Sequence, residues 1–168
     1  MDPSGLAARL SQRFPEVLEA RGEVTVTVAP EELLAALRYL KDEQELAFGF
    51  LADLTCADWP GLDPRFWVAY HLLSMPHHHR LRVKVGLLPR PDPPHISSVT
   101  GLYPTGNWLE REVFDFFGVV FDGHPDLRRI EMPEDWVGYP LRKDQPLAGV
   151  NTQYKGGAFI PPPDQRGL

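Results

Sequence analysis

The sequence predicts an α+β domain of two layers, in which helices cover one face of a mixed sheet. Two observations lead to this prediction. Apolar residues recur at helical spacing in some segments and alternate with polar residues in others, and no regular spacing is found after residue 140. We therefore expect one folded domain over residues 1–140 and an extended, proline-rich tail over residues 141–168.

The first 40 residues are expected to form a helix, a strand and a second helix. Apolar residues at every fourth position predict a helix over residues 4–20 with a kink at Pro15. The alternating β-branched residues from Val24 to Val28 predict a strand, and Pro30 suits the first turn of the second helix. The apolar residues of the two helices are Leu6, Leu10, Phe14 and Leu18, and then Leu33, Leu37 and Leu40.

Residues 48–87 are expected to supply the rest of the sheet. A strand is predicted near residues 48–55, and the Asp, Pro and Gly residues of 58–64 predict a turn. The nearly continuous apolar run of residues 66–73 predicts a strand buried on both faces. Residues 81–87 alternate between apolar and polar types, and we expect them to form a hairpin with 66–73.

The clearest helix signal begins at Asn107. Its side chain can cap the helix N-terminus, and Glu110, three residues later, completes the pattern of a capping box. Gly118 is placed to end the helix in the left-handed conformation. One side of the helix is expected to carry Trp108, Leu109, Val113, Phe116 and Phe117.

Composition restricts the class of function. The chain is 43% hydrophobic and 24% charged, as in ordinary soluble domains, and its net charge of −6 argues against nucleic acid as a partner. No apolar run approaches the roughly 18 residues of a membrane span, and the N-terminus does not resemble a signal peptide. We therefore expect a cytosolic chain that reaches a membrane only through a partner. The lone cysteine, Cys56, excludes an intrachain disulfide and an ordinary cysteine-ligated cluster.

Three groups of residues could carry chemistry of their own. His77–His79 could bind a metal, but adjacent strand residues point to opposite faces, so a polar turn is favoured. His124 and Asp126 could act as a general base or as metal ligands, but a structural turn is favoured because no nucleophile or second histidine lies nearby in the sequence. Cys56 could be a nucleophile if His71 approached it, but a buried structural thiol is more common.

Residues 103–146 mix charged and aromatic residues. Arg111, Glu112 and Asp115 share a neighbourhood on the predicted helix, and one interpretation of this cluster is a solvated helix face. The interleaved aromatic residues favour a protein–protein interface instead, because aromatic residues and arginine are enriched at interfaces. These aromatic residues are Trp108, Phe114, Phe116, Phe117 and Phe121.

The same segment resembles a known family. Residues 110–121 (EREVFDFFGVVF) and 124–130 (HPDLRRI) resemble a run found in the C subunit, or 30-kDa subunit, of respiratory complex I (NADH-quinone oxidoreductase). Residues 140–146 (PLRKDQP) and 50–59 (FLADLTCADW) are similar to two further elements of that family. The order and spacing agree over roughly residues 30–147, which makes the resemblance specific.

The resemblance implies a sheet of about five strands and a non-catalytic structural subunit. Such a subunit lies in the peripheral arm of a proton-pumping NADH:quinone oxidoreductase, on the cytoplasmic side of the membrane. It packs beside the large subunit that forms the quinone site. FMN, iron–sulfur clusters and quinone would be held by other subunits, with no cofactor and no metal on this chain.

The resemblance also implies a set of shape and contact residues, none of them catalytic. Residues 110–115 would make charged contacts within the chain or across an interface, and Gly118 would end the helix. Residues 124–126 would form a rigid turn, and residues 142–144 would dock the tail on a partner. The full set is Glu110, Arg111, Glu112, Asp115, Gly118, His124, Pro125, Asp126, Arg128, Arg142, Lys143 and Asp144.

Three alternatives remain open. The chain ends at Leu168, soon after the last matching element, where many members continue, so the partner set and the electron donor are not fixed. An equivalent subunit of a membrane-bound hydrogenase or of a dehydrogenase with another donor would have a similar sequence. The other two alternatives are a free-standing metalloenzyme that uses His77–His79 or His124 and Asp126, and an adaptor protein outside any complex.

Overall fold

A computed structural model of the protein describes residues 2–90 and 92–145, and its main feature is a mixed sheet of five strands. A short 3₁₀ turn, Pro30–Glu32, precedes the second helix. Within the described residues the elements are α1 (Pro3–Leu10), β1 (Glu16–Ala20), β2 (Glu23–Val28), α2 (Leu33–Asp42), β3 (Phe50–Asp58), β4 (Phe66–Ser74), β5 (His79–Leu87), β6 (His95–Ser97), α3 (Gly106–Phe117) and β7 (Val120–Asp122).

The strands of the sheet lie in the order β1-β2-β5-β4-β3. β2 and β5 are parallel, and the other neighbouring pairs are antiparallel. The predicted hairpin of residues 66–73 and 81–87 is confirmed as β4 and β5, with Phe66 opposite Leu87. β6 and β7 form a separate parallel pair.

One face of the sheet forms the core with the helices. Alternate residues of β4 are buried, and those between them are partly exposed. On α2, Leu33, Leu37 and Leu40 are fully buried, as predicted. The α+β class is therefore confirmed. The expectation that residues 66–73 are buried on both faces is wrong, because every second residue of β4 is only partly buried.

The predicted helix over residues 4–20 is wrong in its second half. α1 ends at Leu10, and Glu16–Ala20 forms β1, paired with β2. Arg21 and Gly22 both have positive φ angles, 55° and 77°, which suits a two-residue hairpin turn that continues the twist of the strands. The fourth-position spacing is misleading because Leu18 is 63% exposed and does not belong to the core face of a helix.

The start of α3 also differs from its prediction. The helix begins at Gly106, Thr105 precedes it, and no side chain caps it. Glu110 does not reach back to Asn107, because its carboxylate is used by the preceding loop, as described below. Trp108 is 61% exposed, whereas three charged residues of α3 are buried. The side of the helix that faces the protein is therefore partly ionic rather than purely apolar.

Candidate functional site

The C-terminal end of α3 is where residues 124–145, here called the return segment, fold back on the domain. The last four carbonyls of a helix lack partners within the helix. In α3 each of them accepts a hydrogen bond from a residue after the helix. The pairs are Gly118 N with Phe114 O (2.8 Å), Arg129 Nη1 with Asp115 O (3.1 Å), Leu141 N with Phe116 O (3.1 Å) and Arg142 Nε with Phe117 O (2.5 Å). Two guanidinium groups thus lie at the negative end of the helix dipole, where positive charge is favoured.

Asp115 anchors the return segment. Its carboxylate is fully buried, and Oδ2 accepts the backbone N–H groups of Ile130, Glu131 and Met132 at 3.0, 2.8 and 2.8 Å. Oδ1 accepts Arg129 Nη1 at 2.6 Å. Burial acts to raise the pKa of this carboxyl, but the hydrogen bonds from Met132, Arg129 and the other N–H groups outweigh it and lower the pKa below its usual value. Asp115 is therefore held ionised inside the protein.

Arg129 completes this centre from the opposite side. Besides Asp115, its guanidinium donates to the carbonyls of Trp136 at 3.1 Å and Gly138 at 2.8 Å, and it lies 5.4 Å from the centre of the Tyr139 ring. A planar guanidinium with five N–H donors can hold several carbonyls at once. The ion pair of Asp115 and Arg129 therefore fixes two parts of the return segment, residues 130–132 and residues 136–138.

Arg111 holds the same segment one helical turn earlier. Nε and Nη2 donate to the carbonyls of Arg128 and Arg129, both at 3.1 Å, and the side chain is buried. The interpretation of this helix face as solvated is wrong for Arg111 and Asp115. It holds for Glu112, which is exposed.

Glu110 anchors the chain that precedes α3. Its fully buried carboxylate accepts the backbone N–H of Val99 at 2.6 Å and the hydroxyl of Ser98 at 2.7 Å. Burial raises the pKa of Glu110 to about 7, against the smaller opposing effect of these two hydrogen bonds. Glu110 is therefore a buried carboxyl that exchanges its proton near neutral pH.

His124 lies beside Glu110 at the start of the return segment. Nδ1 accepts the backbone N–H of Asp126 at 3.0 Å, so the hydrogen-bond pattern assigns the ring proton to Nε2. Nε2 faces Asn107 O at 3.0 Å and Glu110 Oε2 at 4.0 Å. The Asp126 side chain pairs with Arg128 at 2.9 Å in an exposed ion pair, which contributes little. This geometry is that of a turn rather than of a general base.

Arg142 belongs to the fold rather than to a free tail. It is buried, and Nη1 donates to Asp92 Oδ1 at 3.0 Å, while the guanidinium lies 4.6 Å from the centre of the Tyr139 ring and 5.2 Å from that of Phe66. The expectation that the chain from residue 141 onward lies outside the core is therefore wrong for Arg142. Its side chain is buried because the guanidinium donates to Phe117 O at the C-terminal end of α3.

Asp58 and Arg65 bind Lys143 and Asp144, the two residues that follow Arg142. Arg65 donates to both oxygens of Asp58, at 2.6 and 2.8 Å, and to Asp144 Oδ2 at 2.9 Å. The backbone N–H of Lys143 donates to Asp58 Oδ2 at 2.8 Å. Burial would raise the pKa of Asp58, but the bonds from Arg65 and Lys143 lower it. Residues 146–168 of the predicted tail lie outside the described residues, and their contact with a partner stays a prediction.

Gly118 ends α3, as predicted. Its φ angle is +71°, and a Cβ atom built there would lie 2.4–2.7 Å from carbon atoms of the Tyr139 ring. Glycine is therefore required for its backbone angle and also for the close approach of the return segment.

The remaining candidate residues are placed as follows. His77 and His79 contact the carbonyls of Gln44 and Leu46 at 2.7 and 3.0 Å. Burial raises the pKa of Cys56 to about 12, so its thiol stays protonated at neutral pH. Across residues 2–90 and 92–145, no group of three or more His, Cys, Asp or Glu side chains is arranged to hold a metal ion.

Several residues of this network are missing from the sequence prediction. Asp58 is the first residue of the predicted 58–64 turn and Arg65 directly follows the turn, which is a weak signal for a pair across its base. Sequence spacing does not show that Arg128 is exposed whereas its neighbour Arg129 is largely buried. The partners of Arg129 are set by the path of the return segment.

Comparisons with known proteins agree on one family. Residues 26–151 match the family model described as respiratory-chain NADH dehydrogenase, 30 Kd subunit. The chain is 48% identical to the C subunit of NADH-quinone oxidoreductase of Nocardioides sp. over 95% of this chain and 63% of the relative, so it spans less than two thirds of that protein. It is 48% identical to the corresponding protein of Roseiflexus castenholzii over 92% of this chain and 90% of the relative.

Two solved structures share the fold. A trypsin-resistant fragment (1-134) of Nqo5 superimposes with a TM-score of 0.62 at 31% identity, over 74% of this chain and 97% of the fragment. A chain of the membrane-bound sulfane sulfur reductase, an archaeal respiratory membrane complex, gives a TM-score of 0.68 at 25% identity, over 86% of this chain and 85% of that one.

The described part of the chain contains no helix with the length and apolar character needed to cross a bilayer. The family match over residues 26–151 includes strands β3, β4 and β5 of the mixed sheet and helix α3, which carries the motif. The chain belongs to the family of the 30-kDa subunit of respiratory-chain NADH dehydrogenase.

Proposed function

We propose that this chain is a structural, non-catalytic subunit in the peripheral arm of a proton-pumping NADH:quinone oxidoreductase. The observation that carries the proposal is that charged residues of the family motif hold parts of this same chain in place. Glu110, Arg111 and Asp115 are buried, and each binds a loop of its own chain. Side chains used in this way set shape, so the chain contributes a rigid surface to a larger enzyme.

In this proposal other subunits hold the redox centres. Electrons pass from NADH through FMN and iron–sulfur clusters to quinone, and this chain supports that transfer by holding its neighbours in place. The single Cys56 supports this division of labour, because an ordinary cluster needs several thiolates and the Cys56 thiol stays protonated. The isolated chain is then inactive.

The chain packs beside the large subunit that forms the quinone site, on the cytoplasmic side of the membrane. It is peripheral and binds the membrane only through the complex. Residues 146–168 supply part of the contact, since a proline-rich segment without helical or strand periodicity is suited to lie along another protein.

A second candidate is the equivalent subunit of a membrane complex with another electron donor or acceptor. The similarity to a chain of the membrane-bound sulfane sulfur reductase favours this candidate. A scaffold subunit touches neither substrate, so the same fold can serve both types of complex.

Purification from native membranes tests the proposal. We expect the tagged chain, extracted in a mild detergent, to co-purify with flavin- and cluster-containing subunits and with NADH:quinone activity. Activity with another donor but not with NADH would favour the second candidate. A chain recovered alone, or a recombinant chain that binds flavin or turns over by itself, would contradict both.

A further inference from the structure

Glu110 differs from the other buried carboxylates because no lysine or arginine in the described part of the chain pairs with it. Asp58 and Asp115 are also buried, and each pairs with an arginine at 2.6 Å. The nearest basic group to Glu110 is His124, whose Nε2 lies 4.0 Å from Oε2. Without a bound cation, burial is opposed only by hydrogen bonds from neutral groups, so the carboxyl of Glu110 can gain and lose a proton more readily than the other two.

Hydroxyl groups of the loop before α3 connect this carboxyl to the surface. Ser98 Oγ lies 2.7 Å from Glu110 Oε2 and 2.8 Å from Thr100 Oγ1, and it accepts the backbone N–H of Thr100 at 3.2 Å. Glu110 is fully buried, whereas Ser98 and Thr100 are partly exposed. A continuous chain of hydrogen bonds thus leads from the buried carboxyl toward solvent.

This chain of hydrogen bonds can run in either direction, because a hydroxyl group donates one hydrogen bond and accepts two. When Glu110 is ionised, Ser98 donates to Oε2 and accepts from the Thr100 hydroxyl. When Glu110 is protonated, its O–H donates to Ser98, whose own hydrogen then goes to Thr100 Oγ1. Ser98 accepts the Thr100 N–H in both states, so the loop keeps its backbone contact. Reversal passes one proton along each link, from solvent at Thr100 to the carboxyl.

His124 connects Glu110 to the return segment. Its imidazole is fully buried, with Nε2 at 3.0 Å from Asn107 O and 4.0 Å from Glu110 Oε2, and Nδ1 accepts the backbone N–H of Asp126 at 3.0 Å. A carboxylate attracts the Nε2–H group more strongly than a neutral carboxyl does. Ionisation of Glu110 therefore favours movement of the imidazole toward Oε2, and the bond from Asp126 carries this movement into the turn of residues 124–126.

We propose that Glu110, Ser98 and Thr100 form a proton-exchange site, and that the charge of Glu110 sets the position of His124. The site takes its proton from solvent through the two hydroxyl groups and holds it in the core. Loss of the proton leaves a buried charge, which the Nε2–H group of His124 approaches because an uncompensated buried charge is costly. The start of the return segment is therefore sensitive to pH, independently of any partner subunit.

The neighbouring strands supply no other group that changes charge near neutral pH. Tyr70 on β4 has a fully buried hydroxyl, and burial together with the charge of Glu110 raises its pKa well above its ordinary value. The pKa of Cys56 on β3, which acts electrostatically on Tyr70, is about 12. Arg111 is directed to the carbonyls of residues 128 and 129. Imidazole is the other side chain that ordinarily titrates in this range, so the test has to separate His124 from Glu110.

NMR spectroscopy of the full recombinant chain tests the site. We expect the ¹³C-labelled side-chain carboxyl of Glu110, assigned by its loss in Glu110→Gln, to titrate with a midpoint of about pH 7. The backbone N–H signal of Asp126 is expected to shift with the same midpoint and to lose this transition in Glu110→Gln. Glu112→Gln, at an exposed position of the same helix, is the control and is expected to keep both transitions.

The two hydroxyl groups are expected to move this midpoint in opposite directions. Ser98→Ala removes a donor to the carboxylate, so the midpoint rises by about one pH unit. Thr100→Val removes the acceptor that Ser98 uses only when Glu110 is protonated, so the midpoint falls by roughly half a pH unit. Thr100→Ser keeps the hydroxyl and is the matched control, with the wild-type midpoint.

Three results would overturn the inference. The first is a Glu110 carboxyl that titrates near its ordinary value of 4.5. The second is a shift in the same direction for Ser98→Ala and Thr100→Val. The third is an Asp126 transition that persists in Glu110→Gln, which would assign it to the titration of His124 itself. The third comparison needs neither hydroxyl variant, so it decides the role of His124 even if one of them unfolds.

Discussion

Asp115 shows how one buried side chain can fix the path of a later segment of the chain. A buried charge is costly unless it is fully paired and hydrogen-bonded. Three backbone N–H groups and one guanidinium meet that need, and all four come from residues 129–132. The carboxylate therefore selects one arrangement of the return segment over others.

Replacing Asp115 with Asn tests this role. The amide has nearly the same size, but it removes the charge opposite Arg129 and presents an N–H₂ group to donors. We expect a loss of about 3 kcal/mol in the free energy of unfolding, because one partner of a buried pair remains uncompensated. Urea unfolding of the recombinant chain measures this.

Glu112→Gln on the same helix is the control for Asp115→Asn. Glu112 is exposed, and we expect a change within about 0.5 kcal/mol. Equal losses in the two variants would contradict the anchoring role of Asp115.

Glu110 makes stability depend on pH in the opposite sense from Asp115. Its pKa in the folded chain is about 7, above its ordinary value of 4.5, so the folded state binds more protons between these values. The contribution of protonated Glu110 to the free energy of unfolding is complete below its ordinary pKa of 4.5 and is lost as pH rises through about 7. For Asp115, whose folded pKa is lowered, stabilisation is lost as pH falls.

Glu110→Gln should flatten this dependence. Glutamine remains neutral and keeps an acceptor for Val99, so we expect a variant as stable as wild type near pH 4.5 and more stable at pH 8, by on the order of 2–3 kcal/mol. Unfolding curves across this range measure the slope, with Glu112→Gln as reference. An unchanged slope would contradict the raised pKa.

At the scale of elements, the end of α3 is where the return segment packs against the helix. The helix needs a left-handed residue at its end, and the return segment needs space beside that residue for Tyr139. Gly118 meets both needs. Gly123 also has a positive φ angle, +85°, but a Cβ atom there would meet nothing within 4 Å.

Alanine at these two glycines separates backbone strain from packing. Gly123→Ala should cost about 1 kcal/mol, from the left-handed angle alone. Gly118→Ala should cost roughly 1–3 kcal/mol more, because the methyl group collides with the Tyr139 ring. Thermal unfolding compares them, and similar midpoints would show that the contact with Tyr139 is unimportant.

Arg142 and Lys143 are adjacent but differ in their side-chain environments. The Arg142 side chain is buried, whereas Lys143 is exposed and contributes its backbone N–H. If residues 142–144 served only to dock the tail on a partner, the domain would stay folded after both residues were changed to Glu. We now expect Arg142→Glu to destabilise the domain by about 3 kcal/mol or more and Lys143→Glu to change it by less than about 0.5 kcal/mol.

Chemical unfolding of the two single variants distinguishes these effects. If Arg142→Glu proved as stable as Lys143→Glu, the guanidinium would not be needed to close α3. The charge reversal itself is the same in both variants, so the difference reports burial.

At the scale of the whole molecule, sequence periodicity predicted the elements whose signals are local. β2, α2 and the β4–β5 hairpin follow from residues that are neighbours in the chain. β1 was missed because a helical spacing continued across Pro15 by coincidence, with the exposed Leu18 as its last member. Local patterns therefore predicted most of the sheet.

The burial of charge could not be predicted in the same way. Asp115 meets its partners 14–17 residues later, and Asp58 meets Lys143 85 residues later. Nothing in the spacing of Arg111, Glu112 and Asp115 shows that the first and last are buried and that Glu112 is exposed. Their family motif was recognised, but the role of each residue depends on the return segment.

Turnover per assembled complex tests the scaffold role most directly. Glu110 is the motif residue best suited to move a proton, since its pKa is about 7. In membranes that carry Glu110→Gln, NADH:quinone turnover would be normalised to the amount of assembled complex. We expect wild-type turnover per complex, because Glu110 acts on the shape of this chain. Normal assembly with strongly reduced turnover would contradict a purely structural role.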